Sequence, residues 1–249
     1  AKANAYTQAI AIIAILASTC VFTVLFSHYI QMGSGGAPVT KSAVLQRFAP
    51  LGFILIALSF LETLMTLFLI KRKAAHPQAT YEVKDYFKLS HLKRYWKLIS
   101  GNKVILICTL ALTVYWSVSQ LIIVSYGAFL TQHVAGVSTL FVQGSIAVAG
   151  VGVLFGALYA GKVSRGYIET GIIPVAAVAL TVCLYLMTHT FNRTGIIIIE
   201  LCYGFFGGLF IVPLNALIQC EADDRNLGKV MAGTSFCQNI GMFSFLVGN

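Results

Sequence analysis

The sequence predicts an all-α, polytopic helical membrane protein, and two observations carry this prediction. Hydrophobic residues make up 58% of the 249 residues and charged residues only 10%, whereas ordinary soluble domains contain about 25% charged residues. A stretch of 58 residues between Lys103 and Lys162 holds no Asp, Glu, Lys or Arg, far more than the ~20 residues that one helix needs to cross a bilayer. This stretch is therefore expected to cross twice and to reverse at the polar and small residues 131–139.

Hydrophobic runs of helical length predict seven membrane-spanning helices. None of these runs shows the ~10-residue alternating pattern of an outer-membrane strand. A helix also satisfies its own backbone hydrogen bonds in lipid, so helices are the expected spanning elements. The predicted spans are residues 5–27, 48–70, 104–130, 138–160, 170–190, 195–219 and 230–249.

The basic residues predict the orientation of these spans. Nine of the seventeen Lys and Arg residues lie between Lys71 and Lys103, beside only two acidic residues. Loops rich in Lys and Arg stay on the cytoplasmic side, so this segment is expected inside. Alternation then places fourteen basic residues inside and three, Lys41, Arg47 and Arg193, outside. The net charge of +9 is therefore an orientation signal and argues against a nucleic-acid partner.

The basic segment also contains an amphipathic pattern in residues 86–99. Apolar residues recur there at three- and four-residue steps, and lysines fall on another face. This pattern is typical of a helix in the membrane interface, with its lysines at anionic lipid headgroups. A specific partner such as calmodulin is the alternative. The apolar positions are Leu89, Leu92, Trp96 and Ile99.

The order of spans and loops predicts a fragment of a transporter. The sequence starts without Met or a signal peptide and stops without a flanking charge after the last span. We expect residues 1–70 to be the end of an N-terminal six-helix half, with two spans. Residues 71–103 are expected to form a cytoplasmic linker with an amphipathic helix. Residues 104–249 are expected to form a C-terminal half of five spans, the last one truncated.

No sequence pattern predicts a cofactor, a metal site or a catalytic residue. The six cysteines form no CxxC pair, and the five histidines never fall at ligand spacing. The glycines near Gly150 lack the preceding strand of a dinucleotide-binding motif. Helix packing explains them better, because Gly152 with Gly156, and Gly204 with Gly208, form small-xxx-small ridges.

Two carboxylates inside predicted spans are candidate substrate contacts. A charge near the bilayer centre costs at least ~2.5 kcal/mol, so such a residue marks a pathway or a buried pair. Glu62 precedes Lys71 by nine residues, about 13 Å at ~1.5 Å per residue, which predicts a position near the midplane. Glu200 follows Gly195 by five residues, about 8 Å from the outer end. A protonated Glu62 hydrogen-bonded to a neighbouring helix is an equally weighted alternative.

The third span holds a second candidate cluster. Tyr115, Ser119 and Tyr126 fall on one face of a helix, with Trp116 and Gln120 beside them. If this face points inward, it would line a cavity that accepts both acyl and polar groups. Aromatic and polar packing between helices is the alternative.

The sixth span contains residues that are unusual in a helix surrounded by lipid. Pro213 removes a backbone donor and kinks a helix. Asn215 and Gln219 are expected to bond freed carbonyls or to line a cavity in the inner half of the span. Such irregularity is tolerated only where it faces protein or water, so we expect a moving helix beside a substrate path.

These features resemble spans five to eleven of a twelve-helix major facilitator superfamily transporter. Residues 156–166 (GALYAGKVSRG) lie where that superfamily carries the C-terminal copy of its loop motif, with Ala160 in place of the usual acid. The resemblance implies a gating or loop-motif role for Gly156, Lys162 and Arg165, and the kink at Pro213 predicts a gating role for that residue as well.

Three segments are more narrowly similar to the lysophospholipid transporter (LplT-type) branch. Residues 205–219 (FFGGLFIVPLNALIQ) and 232–239 (AGTSFCQN) carry the sharpest similarity, and residues 2–16 resemble the start of the fifth span of that branch. An asparagine is expected at the position of Thr234.

The resemblance implies a carrier of the bacterial inner membrane. It would move lysophospholipids such as lysophosphatidylethanolamine to the cytoplasmic leaflet, where an acyltransferase and acyl carrier protein rebuild the diacyl lipid. Two six-helix halves would rock about a central cavity. Glu62 would contact the headgroup amine or gate a coupling cation, Asn215 and Gln219 would line the inner gate, and Asn239 is a further expected contact. A carrier of a soluble metabolite or drug, and a membrane anchor for a fused acyltransferase, are the alternatives.

Overall fold

The computed structural model describes residues 10, 13, 14, 17, 18, 21, 41–68, 90–134, 136–164 and 167–248. Every regular element in this part of the chain is an α-helix, which confirms the predicted fold class. The helices are α1 Lys41–Thr66, α2 Ser90–Ser100, α3 Lys103–His133, α4 Thr139–Val163, α5 Ile172–His189, α6 Arg193–Glu221 and α7 Leu227–Val247. Five of them, α3 to α7, are long and apolar enough to cross a membrane.

The ends of these five helices lie within three residues of the predicted spans. Helix α1 differs, because it begins at Lys41, seven residues before the predicted span. Hydropathy marks where the apolar run starts. The helix begins earlier, because the polar residues that precede this run also form helical hydrogen bonds. The predicted first span lies mostly outside the described residues. Ile10, Ile13 and Val21 are helical members of it.

The structure divides into two compact units, residues 18–79 and residues 80–249 with residues 1–17. Helix α1 belongs to the first unit, and its residues 53–66 are all exposed. Helices α2 to α7 belong to the second unit. All described candidate site residues except Glu62 therefore lie in the second unit.

The reversal between α3 and α4 occurs where the sequence predicts it. Helix α3 ends at His133 and α4 begins at Thr139. Gly136 adopts a left-handed conformation with φ of 67°, which glycine adopts without steric cost. The Arg193 guanidinium at the start of α6 donates a hydrogen bond of 2.9 Å to the Gly136 carbonyl and lies 5.8 Å from the centre of the Phe141 ring. The turn is thus held against the N-terminal end of α6.

Helix α6 is the central helix of the second unit. It packs against α3, α4, α5 and α7. In its spanning segment 61% of the residues are buried, compared with 17% to 28% in the other four crossing helices. The neighbours of α6 therefore have both a face buried against other helices and an exposed face.

Helices α3 and α5 each carry a stripe of exposed apolar residues. The residues of each stripe recur at three- and four-residue steps, the spacing of one helix face. The stripes consist of Val104, Ile107, Leu110 and Val114 on α3, and of Val175, Val178, Val182 and Tyr185 on α5.

Helices α4 and α6 approach each other through glycines. A β-carbon at Gly152, Gly156, Gly204 or Gly208 would collide with a backbone carbonyl oxygen of the opposite helix. The two predicted small-xxx-small ridges therefore face each other, which is the way that small residues bring membrane helices into backbone contact. The oxygens concerned belong to Leu201, Phe205, Ala149 and Val153, respectively.

The amphipathic linker helix is present as α2, but its apolar face meets protein. Ile99 is fully buried, and its Cδ1 atom lies 2.8 Å from where a β-carbon on Gly233 of α7 would be. Tyr95 packs at the same glycine, whereas Trp96, predicted on the apolar face, is 50% exposed. Sequence periodicity defines the apolar face of a helix but not what covers it. Leu89 lies outside the described residues.

The contact between α4 and α6 predicts a large difference between two glycines. Gly204→Ala should destabilise the protein by about 1–3 kcal/mol or more, because overpacking against an immovable backbone is costly. Gly144→Ala, on α4, is the matched control, since a β-carbon there meets nothing within 4 Å. Thermal unfolding of the two variants in one detergent measures the difference. Equal melting temperatures would contradict the proposed backbone contact.

Candidate functional site

A cluster of hydroxyl groups and aromatic rings lies between α3 and α6. The Ser119 and Tyr203 hydroxyls form a buried hydrogen bond of 2.9 Å. The Tyr115 ring stacks against that of Tyr203, with 6.4 Å between ring centres, and lies 5.9 Å from the ring of Phe210. Aromatic pairs at such separations stabilise packing beyond their buried area. The cluster therefore joins the middle of α3 to the middle of α6.

Gly207 makes room for the Tyr115 hydroxyl group. A β-carbon at Gly207 would collide with the Tyr115 hydroxyl oxygen. The phenol group therefore reaches the backbone of α6, and only glycine at this position allows the approach.

The face of α3 predicted as a candidate site is a packed face. Tyr115, Ser119 and Tyr126 are only 8%, 9% and 7% exposed, the arrangement that the packing alternative expects. Trp116 and Gln120 lie beside this face and are half-buried. The Trp116 ring meets the Tyr115 ring edge-on at 5.5 Å. Trp116 and Gln120 are more exposed than the three packed residues.

A groove of about 480 Å³ lies between α3, α5 and α6. Tyr115 and Tyr203 line its inner wall, and the rest of the lining is mainly apolar. Its outer lining belongs to the exposed apolar stripe of α3, so the groove opens on the surface of the second unit. Those outer residues are Ile107, Leu110 and Val114.

Among the described residues of the second unit, Glu200 is the buried carboxyl group. It is 2% exposed, and its Oε1 atom has no hydrogen-bond partner among the described residues. Helix α6 begins at Arg193, so Glu200 lies about 10 Å along the helix from its N-terminal end. Tyr203 follows Glu200 by one helical turn on the same face. Glu200 thus belongs to the α3–α6 contact and borders the hydroxyl cluster.

The proline of α6 lies inside a continuous helix. Helix α6 runs unbroken from Arg193 to Glu221 with Pro213 buried within it. Asn215 is half-buried, and its Nδ2 atom donates a hydrogen bond of 3.1 Å to the Ile211 carbonyl. Pro213 leaves the Leu209 carbonyl, four residues earlier, without its helical donor. The Asn215 amide does not bond this freed carbonyl but the nearby Ile211 carbonyl. Gln219, one turn further, is also half-buried.

Helix α7 packs on α3 through small polar side chains. The Thr109 and Thr234 hydroxyls form a buried hydrogen bond of 3.2 Å. Thr234, at the position where the resemblance expects asparagine, therefore holds two helices together. Asn239 is exposed, and its side chain donates a hydrogen bond of 2.9 Å to the Ser235 carbonyl of its own helix.

The remaining candidate residues are Glu62, Gly156, Lys162 and Arg165. Glu62 is exposed on α1, one turn before the end of that helix at Thr66. Lys162 is exposed in the last turn of α4, while Gly156 packs against α6. Arg165 lies outside the described residues.

Two members of the cluster were not predicted from the sequence. Tyr203 contacts both Tyr115 and Ser119, and Gly207 admits the Tyr115 hydroxyl. The spacing of Glu200, Tyr203 and Gly207 at three and four residues on one helix face was the available signal. Within the described ranges, no group of three or more His, Cys, Asp or Glu side chains is placed to hold a metal ion.

Comparison with known families matches most of this chain. The model described as Major Facilitator Superfamily matches residues 10–246. Comparisons with curated proteins and with solved structures find no match. The matched region takes in all five crossing helices, α3 to α7, almost to their ends. The chain therefore belongs to the major facilitator superfamily, whose members are multi-pass secondary transporters.

Proposed function

We propose that this transporter moves lysophospholipids, such as lysophosphatidylethanolamine, across a bacterial inner membrane to the cytoplasmic leaflet. An acyltransferase with acyl carrier protein would then restore the diacyl lipid. Family membership supports a secondary transporter. The lipid substrate rests on the similarity of residues 205–219 and 232–239 to the lysophospholipid transporter branch.

The central position of α6 is the observation that carries this proposal. Residues 205–219, the longest of the similar segments, lie on the most buried helix of the second unit. A sequence that distinguishes substrates is expected on a helix that contacts several others, because its side chains influence both the packing and the cavity. The half-buried amides of Asn215 and Gln219 support a polar path in the inner half of this helix.

Transport by this chain would follow alternating access. Residues 1–70 and 104–249 would belong to two halves that rock about a shared cavity, with residues 71–103 as the linker between them. Trp116, Gln120 and Asn239 retain surface for substrate contact. An acyl chain suits the apolar side chains of such a cavity, and the amides suit a headgroup.

The first prediction concerns the substrate class. Vesicles that contain the full-length protein should take up headgroup-labelled lysophosphatidylethanolamine faster than empty vesicles do. Other lysolipids should compete with the label, because they share its single acyl chain, whereas water-soluble metabolites should not. Competition by soluble solutes alone would instead indicate a carrier of a soluble metabolite or drug. Folded protein that moves neither class would indicate a membrane anchor.

A second prediction concerns Glu62. If its carboxylate contacts the headgroup amine, Glu62→Gln should weaken apparent affinity about ten- to hundredfold, since a hydrogen bond to a charged group contributes about 1.5–3 kcal/mol. Uptake of labelled lysophosphatidylethanolamine as a function of concentration measures this. Glu169→Gln, in the segment between α4 and α5, is the control. Unchanged transport in the Glu62→Gln protein would remove Glu62 from the substrate path.

A third prediction concerns the inner half of α6. Asn215→Ala should reduce the uptake rate or the apparent affinity about two- to tenfold, because a neutral hydrogen bond contributes about 0.5–1.5 kcal/mol. Gln132→Ala removes an exposed amide at the outer end of α3 and should leave uptake unchanged. If both variants transport like the original protein, Asn215 does not line the gate.

A further inference from the structure

Helix α2 has one face packed against protein and an opposite face that is exposed. Ile99 is buried and packs at Gly233 of α7, and Tyr95 packs at the same glycine. At ~100° per residue, the exposed residues of α2 fall together on the other side of the helix. This side, the basic face, consists of Lys93, Arg94, Trp96, Lys97 and Ser100.

The basic face carries three positive charges. Lys93, Arg94 and Lys97 supply them, and α2 contains no acidic residue. None of the three side chains forms an ion pair within the described part of the chain. Lys93 and Lys97 lie one turn apart, where like charges repel each other. An anionic partner relieves this repulsion, so the basic face suits a negatively charged ligand.

The start of α3 indicates how deep this face lies in a membrane. Helix α3 has 31 residues, about 46 Å at ~1.5 Å per residue, close to the ~40–45 Å of a bilayer with its headgroups. Lys103 begins it and is exposed, and its exposed apolar stripe follows from Val104. We therefore expect Lys103 at the level of the headgroups. Only Gly101 and Asn102 separate α2 from α3, so the C-terminal end of α2 lies near the same level.

Trp96 shares the basic face with the three cations. Its side chain is 50% exposed, although tryptophan buries most of its surface on average. Tryptophan favours the membrane interface, where its ring meets apolar lipid and its N–H group stays hydrated. A soluble anion would use only the positive charges of this face. A phospholipid would use both the charges and the ring, so the combination favours a lipid.

A partner of the calmodulin type does not fit this arrangement. Such a partner encloses the apolar anchors of an amphipathic helix in a hydrophobic groove. The apolar side of α2 is already covered, because Ile99 is fully buried against α7. The sequence pattern leaves this partner open as an alternative, but it could bind only if α2 left α7.

We propose that the basic face of α2, together with Lys103, binds the phosphate groups of anionic phospholipids such as phosphatidylglycerol. The cations contact the phosphate oxygens, and the Trp96 ring lies at the boundary with the acyl chains. In the orientation that the sequence predicts, these lipids belong to the cytoplasmic leaflet, whose anionic lipids attract basic segments beside crossing helices. This binding does not depend on which substrate the protein transports.

Asn102 connects the lipid-binding helix to two crossing helices. Its Oδ1 atom accepts a hydrogen bond of 2.9 Å from the Val104 N–H and so caps α3. Its Nδ2 atom donates a hydrogen bond of 3.2 Å to the Glu221 carboxylate at the end of α6. A lipid held on α2 therefore fixes the start of α3 and the end of α6 relative to the membrane surface.

Quenching of Trp96 fluorescence by brominated lipids measures this binding without any transported substrate. The full-length protein is reconstituted in phosphatidylcholine vesicles that contain a minor share of brominated phosphatidylglycerol or brominated phosphatidylcholine. Subtracting the signal of the Trp96→Phe protein isolates the emission of Trp96. Brominated phosphatidylglycerol should quench this emission more strongly, and added salt should reduce the difference because exposed charges are screened.

A matched pair of arginine variants locates the site. Arg94→Gln should lower the preference for phosphatidylglycerol about fivefold, the equivalent of the ~1 kcal/mol that one basic residue contributes near an anionic surface. Arg225→Gln also removes an exposed arginine, in the connection between α6 and α7, and should keep the preference. Lys93→Gln and Lys97→Gln should each act like Arg94→Gln, so the test does not depend on the folding of one variant.

Equal quenching by the two lipids in the original protein would overturn the lipid site. Equal losses of preference in Arg94→Gln and Arg225→Gln would also overturn it, because they would reflect the net charge and not the basic face. Competition by inorganic phosphate at constant ionic strength would assign the face to a soluble anion. Binding of calcium-loaded calmodulin to the intact protein, without a preference between the lipids, would assign it to a protein partner.

Discussion

Direct backbone contact between α4 and α6 is the constraint on which the second unit depends. Lipid tails are as apolar as leucine side chains, so membrane helices gain little from hydrophobic burial and associate through close packing. Two pairs of glycines bring the carbonyl groups of one helix against the α-carbons of the other. With α4 held on one side, α6 presents its other faces to α3, α5 and α7, which places Glu200, Tyr203 and Gly207 against α3.

The sequence predicts those features of the fold that a single segment determines. Hydropathy located five helices to within three residues, because the cost of burying backbone in lipid depends only on local composition and length. Glycine spacing predicted the two ridges, although not that they face each other. The start of α1 was missed, since the helix continues through polar residues that hydropathy assigns to a loop.

Contacts between distant segments were harder to predict. The face of Tyr115, Ser119 and Tyr126 is equally compatible with a cavity and with packing, and the partner that decides between them lies 84 residues further along the chain at Tyr203. Trp96 was assigned to the apolar face of α2 by its spacing, yet Tyr95 fills the contact at α7. Periodicity identifies the faces of a helix, and only the neighbouring helix determines how each face is used.

The unequal lengths of the crossing helices set how this unit meets the bilayer. At ~1.5 Å per residue, the 31 residues of α3 and the 29 of α6 measure about 46 Å and 43 Å, whereas the hydrocarbon core is about 30 Å thick. The 18 residues of α5 measure about 27 Å by the same rise. Helices α3 and α6 must therefore tilt or project into the headgroup region, while α5 fits a thin core. Local thinning of the bilayer beside α5 would favour insertion of the protein into membranes with a thinner hydrocarbon core.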